Sequence, residues 1–267
     1  MRRLPASGWC GVAVLAGWVV CALFGPWIAP HGVNEVDLRD VLRPPSWAHP
    51  FGTDGIGRDV LSRVILGARD ILVTAPLAAG LGTVAGTVLG LVGGYRGGWL
   101  DAALARVTDT LVALPLLVVA LLALSALGVS QGAVVAVIGL VFAPLIARTV
   151  RAAVRAECAL DYVAAAQLRG EPAWRIMGVE ILPNVMAPIV VEATVRLGYA
   201  VFTVASLSFL GFGLQPPSPD WGLAVAQNYG TLSGGVWWTV AFDAGATASL
   251  VVAVNLVAEG LRRGRAA

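Results

Sequence analysis

Residues 148–183 read RTVRAAVRAECALDYVAAAQLRGEPAWRIMGVEILP and form the longest polar stretch that the flanking apolar runs leave between them. Arg148, Arg151, Arg155, Arg169 and Arg175 hold it on the cytoplasmic side of a membrane, because arginine-rich loops resist translocation. Within it, Asp161 favours a helix start, Ala164-Ala165-Ala166 favours helix, and Gly170 followed by Glu171-Pro172 gives a stop and a restart. The result is a short helix with a small-residue surface, flanked by Tyr162 and Arg169. Two readings stay open at this level. A cytoplasmic partner can approach the alanines closely, or the helix is a plain amphipathic connector lying on the membrane.

The composition decides the class around this stretch. Of the 267 residues, 58% are hydrophobic and 13% charged, and the mean hydropathy is +0.81, which describes a polytopic membrane protein rather than one or two soluble domains. The net charge of +2 rests on arginine alone, since the chain has no lysine. A Walker A phosphate loop needs that lysine, so nucleotide hydrolysis by this chain is excluded. Cys10, Cys21 and Cys158 have neither disulfide nor metal-ligand spacing, and His31 and His49 stand alone in sequence, so no metal site is expected.

Upstream of the quoted stretch, apolar runs at about 9–29, 71–94, 101–127 and 133–147 read as spans. The first follows Met1-Arg2-Arg3, is too long for a signal-peptide core and lacks a cleavage site, so it reads as an uncleaved span with a cytoplasmic start. Residues 30–68 are rich in Pro and Gly and fall outside, ending in a pattern at Asp59, Ser62, Arg63 and Ala68 that predicts an amphipathic helix on the outer face. Gly82, Gly86 and Gly90 recur every four residues, a face for close helix packing or, alternatively, a hinge. Residues 95–101 form a short inner loop, and Arg106 and Asp109 follow near the cytoplasmic end of the third span. Pro115 predicts a kink in that span.

Downstream, spans at 185–210 and 239–257 complete six, and Arg262, Arg263 and Arg265 keep the C-terminus inside. The fifth carries Glu192 and Arg196 on one face, either a mutually satisfied pair or part of a pathway lining, with Asp109 the other acid placed there. Trp221, Tyr229, Trp237 and Trp238 are expected in an interfacial aromatic belt.

Three motifs now coincide. Gly52-Thr53-Asp54, Gly57-Arg58-Asp59, Ser62-Arg63, Gly67 and Arg69 form one. The run Ser208-Phe209-Leu210-Gly211 to Gln215-Pro216-Pro217 and Trp221-Gly222 forms the second, and Ala164-Ala165-Ala166, Gly170 and Leu182-Pro183 the third. Together they resemble the permease subunits of binding-protein-dependent ABC importers, in particular the C-type subunit of the dipeptide, oligopeptide and nickel group. The chain departs from that pattern at Ala164, where the family carries Glu, at Glu180, an apolar position, and at Asp243, where Pro is usual. Asp161 or Glu171 is the natural substitute for the missing Glu.

The resemblance implies an all-α, six-helix, type I importer permease fold in the plasma (inner) membrane, with both termini cytoplasmic. It divides the chain into 1–70, a first helix and extracellular amphipathic segment, and 71–267, a five-helix core with the coupling segment 148–183. It assigns ATPase coupling to Asp161, Tyr162, Ala164, Ala165, Ala166, Arg169, Gly170, Glu171, Leu182 and Pro183. Gly52, Thr53, Asp54, Arg58, Asp59, Arg63, Gln215, Pro216, Pro217 and Trp221 become a binding-protein docking or outer-gate set, with simple loop rigidity as the alternative. The implied partners are a B-type permease, two cytoplasmic ABC ATPases or one fused ATPase carrying ATP and Mg, an extracellular substrate-binding protein, a peptide substrate and the bilayer, with no nucleic acid and no cofactor in this chain. The competing class is a self-contained ion-coupled transporter or channel, which would place more ionisable residues at mid-membrane.

Overall fold

The computed structural model describes residues 6–266 and, Leu100 aside, their side chains as far as Gly260. The basic ends used for orientation, Arg2-Arg3 and the side chains of Arg262, Arg263 and Arg265, lie outside the described set. The elements run α1 (Ala6–Ile28), α2 (Val60–Arg96), α3 (Gly98–Ala113), α4 (Leu116–Leu127), α5 (Gln131–Cys158), α6 (Asp161–Leu168), α7 (Ala173–Arg175), α8 (Leu182–Phe209), α9 (Trp221–Asn228) and α10 (Trp238–Ala266). A π-helical stretch, Ile176–Ile181, joins α7 to α8, and a 3-10 turn, Tyr229–Gly234, follows α9. Among the described residues the extended pairing is one bridge, Thr53 with Asp59.

Five helical stretches are long and apolar enough to span a membrane: α1, α2, α5, the continuous run Ala173–Phe209, and α10. The expected third span differs from a kinked helix. It is two helices, α3 and α4, bent by 94°. Leu114 sits at the break with φ −85° and ψ 140°, the extended conformation that a following proline imposes on its neighbour. Counted as one span, the pair brings the total to six. Helix α10 runs unbroken through Asp243, despite the departure noted there.

The chain divides into two compact units. The first comprises Met1–Pro76, Leu124–Val134 and Leu197–Ala267. In it α1 lies along α10: a Cβ at Gly11 would come 2.7 Å from the Ala253 carbonyl oxygen, and Trp18 Nε1 donates to Ser249 Oγ at 2.9 Å. The start of α2 is not a surface amphipathic helix, because its polar face is as buried as its apolar one, with Ser62 and Arg63 inside beside Val60 and Val64. Trp221 and Trp238 are likewise not belt residues. Both are buried, and their indole N–H groups donate to the Val64 carbonyl at 2.9 Å and the Thr53 carbonyl at 3.2 Å, while Tyr229 and Trp237 remain exposed. An indole that can bury its ring and also satisfy its donor has no need of the interface.

The second unit comprises Leu77–Ala123 and Val135–Arg196. Its spine is a glycine ladder. Cβ atoms placed on Gly82, Gly86, Gly90 and Gly94 would lie 2.9, 2.7, 2.9 and 3.0 Å from the carbonyl oxygens of Gly139, Ala143, Ala147 and Arg151. Both series step by four, so each glycine of α2 meets one carbonyl of α5 in fixed register. The packing expected of Gly82, Gly86 and Gly90 is present, extended by one rung at Gly94. The extra rung exists because α5 continues as helix to Cys158, eleven residues past the expected end of its span at Ala147.

Candidate functional site

Helix α6 begins at Asp161, which supplies a carboxylate to its first turn. It ends in a Schellman arrangement: Gly170 N–H donates to the Gln167 carbonyl at 2.9 Å and Glu171 N–H to the Ala166 carbonyl at 3.2 Å. Gly170 occupies the left-handed region at φ +73°, which is why glycine stands there. Pro172 then caps α7.

The helix has two distinct sides. Val163 and Ala166 are buried, whereas Ala164 and Ala165 are exposed with Leu168 at 90% accessibility. Nearby Trp174 is 70% exposed and Leu160 48%. Tyr162 is not part of this open face. Its hydroxyl donates to Glu157 Oε2 at 2.6 Å and accepts from Asn184 Nδ2 at 3.2 Å, so it fastens α6 to the end of α5 and the start of α8. Burial, followed by the bond to Glu157, pushes the phenol pKa up. Glu171 is held by Arg169 at 2.7 Å, with Arg175 at 3.8 Å, while Asp161 is exposed. Of the two acids named as substitutes at Ala164, Asp161 is thus the one open to solvent and not engaged by a neighbouring arginine in the α6–α7 turn. Leu182 is half-buried and Pro183 exposed at the start of α8.

One residue of this unit escaped sequence reading. Asp101, taken there as loop, lies buried in the first turn of α3 and accepts from Arg151 Nη2 at 2.8 Å and from Arg155. The signal was the pair of arginines four apart on α5, which the predicted end of that helix left outside it. Asp109 lines a cleft of about 480 Å³ with Leu104, Thr108, Pro144, Arg148 and Arg151. Glu192 and Arg196 are not among its lining residues. They bond each other within α8, Nε to Oε1 at 2.8 Å, and the guanidinium lies 6.0 Å from the Phe142 ring centre.

In the first unit the two other motifs interlock. Asp54 accepts the backbone N–H groups of Ile56 and Arg58, both at 3.0 Å, and Arg58 Nε at 2.6 Å; Arg58 Nη2 then reaches Gln227 at 3.1 Å. Asp59 caps α2 through Ser62, whose N–H and Oγ lie 2.8 and 2.7 Å from its Oδ2. Arg63 donates to the carbonyls of Val33 and Ser218 at 3.3 and 3.2 Å, and Ser218 Oγ donates to Asp70 at 2.6 Å. Gly52 is pinned between the Arg43 carbonyl and the Trp238 indole, each 2.6 Å from a Cβ placed there. Thr53, Asp54, Arg58, Asp59, Arg63 and Trp221 are buried and bonded internally; Gln215, Pro216 and Pro217 are exposed.

The histidines do not stand alone. The turns of residues 29–59 bring His31 and His49 into a stack with ring centres 4.7 Å apart, beside Asp59. Residues 18 and 10 positions apart in sequence carry no spacing signal, and only the folded turns join them.

Comparison with known proteins gives a consistent picture. A family model described as binding-protein-dependent transport system inner membrane component matches residues 86–265. The di/tripeptide transport system permease protein DppC of Pseudomonas aeruginosa is 39% identical over 252 residues, covering 91% of this chain and 82% of that protein. The dipeptide transport system permease protein DppC of Escherichia coli is 41% identical over 247 residues, covering 90% and 82%. The probable D,D-dipeptide transport system permease protein DdpC of Escherichia coli is 35% identical over 242 residues, covering 90% and 80%.

Proposed function

This chain belongs to the family of binding-protein-dependent transport system inner membrane components, and on that premise we propose that it is the C-type permease of an ATP-driven importer of di- or oligopeptides. It is a multi-pass inner-membrane protein, and in this reading it carries movement rather than chemistry. In this reading a B-type permease completes the pathway, cytoplasmic ATPases bind and hydrolyse ATP with Mg, and an extracellular binding protein delivers the peptide.

The observation that carries the reading is the open face of α6. Ala164, Ala165 and Leu168 present an apolar, small-to-medium surface on a helix whose other side is locked in place by Val163, Ala166 and the Tyr162 bonds. Exposed apolar side chains next to Leu160 and Trp174 mark a surface that another protein covers. A groove in an ATPase can take such a helix by the helix-in-groove mode. Asp161 supplies the charge that the family places at position 164.

The test is uptake of a labelled dipeptide into proteoliposomes holding this chain, its B-type partner and the ATPases, with the binding protein and ATP supplied. Uptake is expected from the assembly and absent from the chain alone. Ala165→Trp is expected to remain folded in the membrane, lose ATPase co-purification and abolish uptake. Peptide uptake by the lone chain, or normal ATP-driven uptake by Ala165→Trp, overturns the proposal.

A further inference from the structure

The segment between α1 and α2 contains a group of side chains for which the transport reading has no use. We propose that His31, His49 and Asp59 form a binding site for one divalent transition-metal cation of the zinc class. Two imidazoles and a carboxylate are the donor set such ions take when a fourth position is left to water.

The geometry is close to that of a loaded site. One candidate ligand atom from each residue lies within 4.8 Å of the others. His49 Nδ1 is 2.9 Å from Asp59 Oδ1, and His31 Nδ1 is 3.7 Å from Asp59 Oδ2. A tetrahedral ion with bonds of about 2.1 Å separates its ligands by roughly 3.4 Å, so three donors within 4.8 Å of one another close by at most roughly 1.4 Å to admit it. His31 Nδ1 is buried without a hydrogen-bond partner. A buried ring nitrogen facing a carboxylate from beyond bonding distance is a lone pair or a proton left unused, and an ion bridging the two removes that penalty.

The surroundings favour a cation. The cavity here is about 220 Å³, and besides the three ligands it is lined by Glu35, Asp37, Asp40 and Gly57, so every permanently charged side chain lining it is acidic. Asp40 Oδ2 stands 3.5 Å from His49 Nε2. Once Nδ1 holds the ion, Nε2–H points at that carboxylate, the outer-shell arrangement that orients ligand imidazoles. Asp59 is held ready from the other side: Oδ2 accepts from Ser62 and lies 3.7 Å from His31 Nδ1, while Oδ1 is turned to His49. Binding therefore ties the turns that carry His31 and His49 to the residue that caps α2.

The experiment uses the full chain, purified in detergent without a histidine tag, carrying Cys10→Ser, Cys21→Ser and Cys158→Ser so that thiols do not contribute. After chelator treatment it is titrated with Zn²⁺, and in parallel with Co²⁺, whose visible absorption reports low-coordinate nitrogen and oxygen ligation. The expected results are one ion per chain, a Zn²⁺-dependent rise in the unfolding midpoint, and loss of the stoichiometric ion in His31→Ala and His49→Ala. Asp40→Asn weakens binding by roughly tenfold or more. His31 is a third exposed, so His31→Ala folds even where His49→Ala does not, and it decides the matter alone. Metal uptake equal in the parent and in His31→Ala overturns the proposal. So does a midpoint that moves with pH but not with Zn²⁺, which assigns the pair to proton binding instead.

Discussion

At 52–69 and 208–222 the charged motif side chains Asp54, Arg58, Asp59 and Arg63, with Trp221, turn inward and are hydrogen-bonded there, whereas at 161–170 Ala164, Ala165 and Leu168 face outward while Ala166 packs inside. Thr53, Asp54, Arg58, Asp59, Arg63 and Trp221 are buried, while Ala164, Ala165 and Leu168 are open. A motif of the first kind is maintained by the penalty for stranding a buried polar partner. The open side chains of the second kind make no such bonds, so changing them costs the fold little. The two regions thus separate side chains that hold the fold from side chains left free for the coupling role proposed above, and substitutions can push on that separation.

The largest effect is expected from Asp54→Ala, which leaves Arg58 buried without its ion-pair partner and costs about 3–5 kcal/mol; a wild-type thermal midpoint in detergent would move Asp54 out of the structural class. Gly86→Val follows at about 3 kcal/mol, because its side chain meets the Ala143 carbonyl and Ile146 with no room to yield. Gly80→Val, with nothing within 4 Å, is its control and is expected to unfold close to wild type in the same assay.

Next comes Asp220, the cap of α9, whose carboxyl burial raises to about 6 against the Leu223 N–H that favours its charged form. Its folded pKa lies above the unfolded value of about 3.9, so the folded state binds the extra proton between those limits. Stability from this group is greatest below about pH 4, falls as the pH rises to about 6, and is flat above. Asp220→Asn keeps the capping acceptor and is expected to remove that slope, adding roughly 1–3 kcal/mol at pH 7; parallel pH profiles of the two proteins would refute it. Smallest on stability is Leu168→Glu, within about 0.5 kcal/mol of wild type, yet it is expected to abolish ATP-driven peptide uptake in the reconstituted importer. Retained uptake would erase the contrast between the two regions.

Sequence reading recovered what repeats or punctuates. The four-residue recurrence of glycines named the packing face, and Asp161 with Gly170 bounded α6 almost to the residue. It failed where long-range contacts override local pattern. Asp59, Ser62 and Arg63 have amphipathic spacing, but Arg63 is taken up by the Val33 and Ser218 carbonyls, Ser62 Oγ accepts the His31 N–H, and Asp59 accepts from Ser62 and faces His49. The tryptophans at 221 and 238 look interfacial until carbonyls at Val64 and Thr53 are found to accept their N–H groups. The His31, His49 and Asp59 group had no local pattern to read, since turns with positive φ at Gly52 and Gly57 assemble it.

The matched series Gly82, Gly86, Gly90, Gly94 and Gly139, Ala143, Ala147, Arg151 makes the second half of α2 and the body of α5 a rack with notches. Neighbouring notches are four residues apart, about 6 Å along the axis, and at any intermediate setting the grooves would collide with side chains. The pair has no small slip available to it. From Gly82 to Gly94 the two helices therefore keep one register, and a displacement of α5 along its axis carries this part of α2 with it unless a whole notch is jumped.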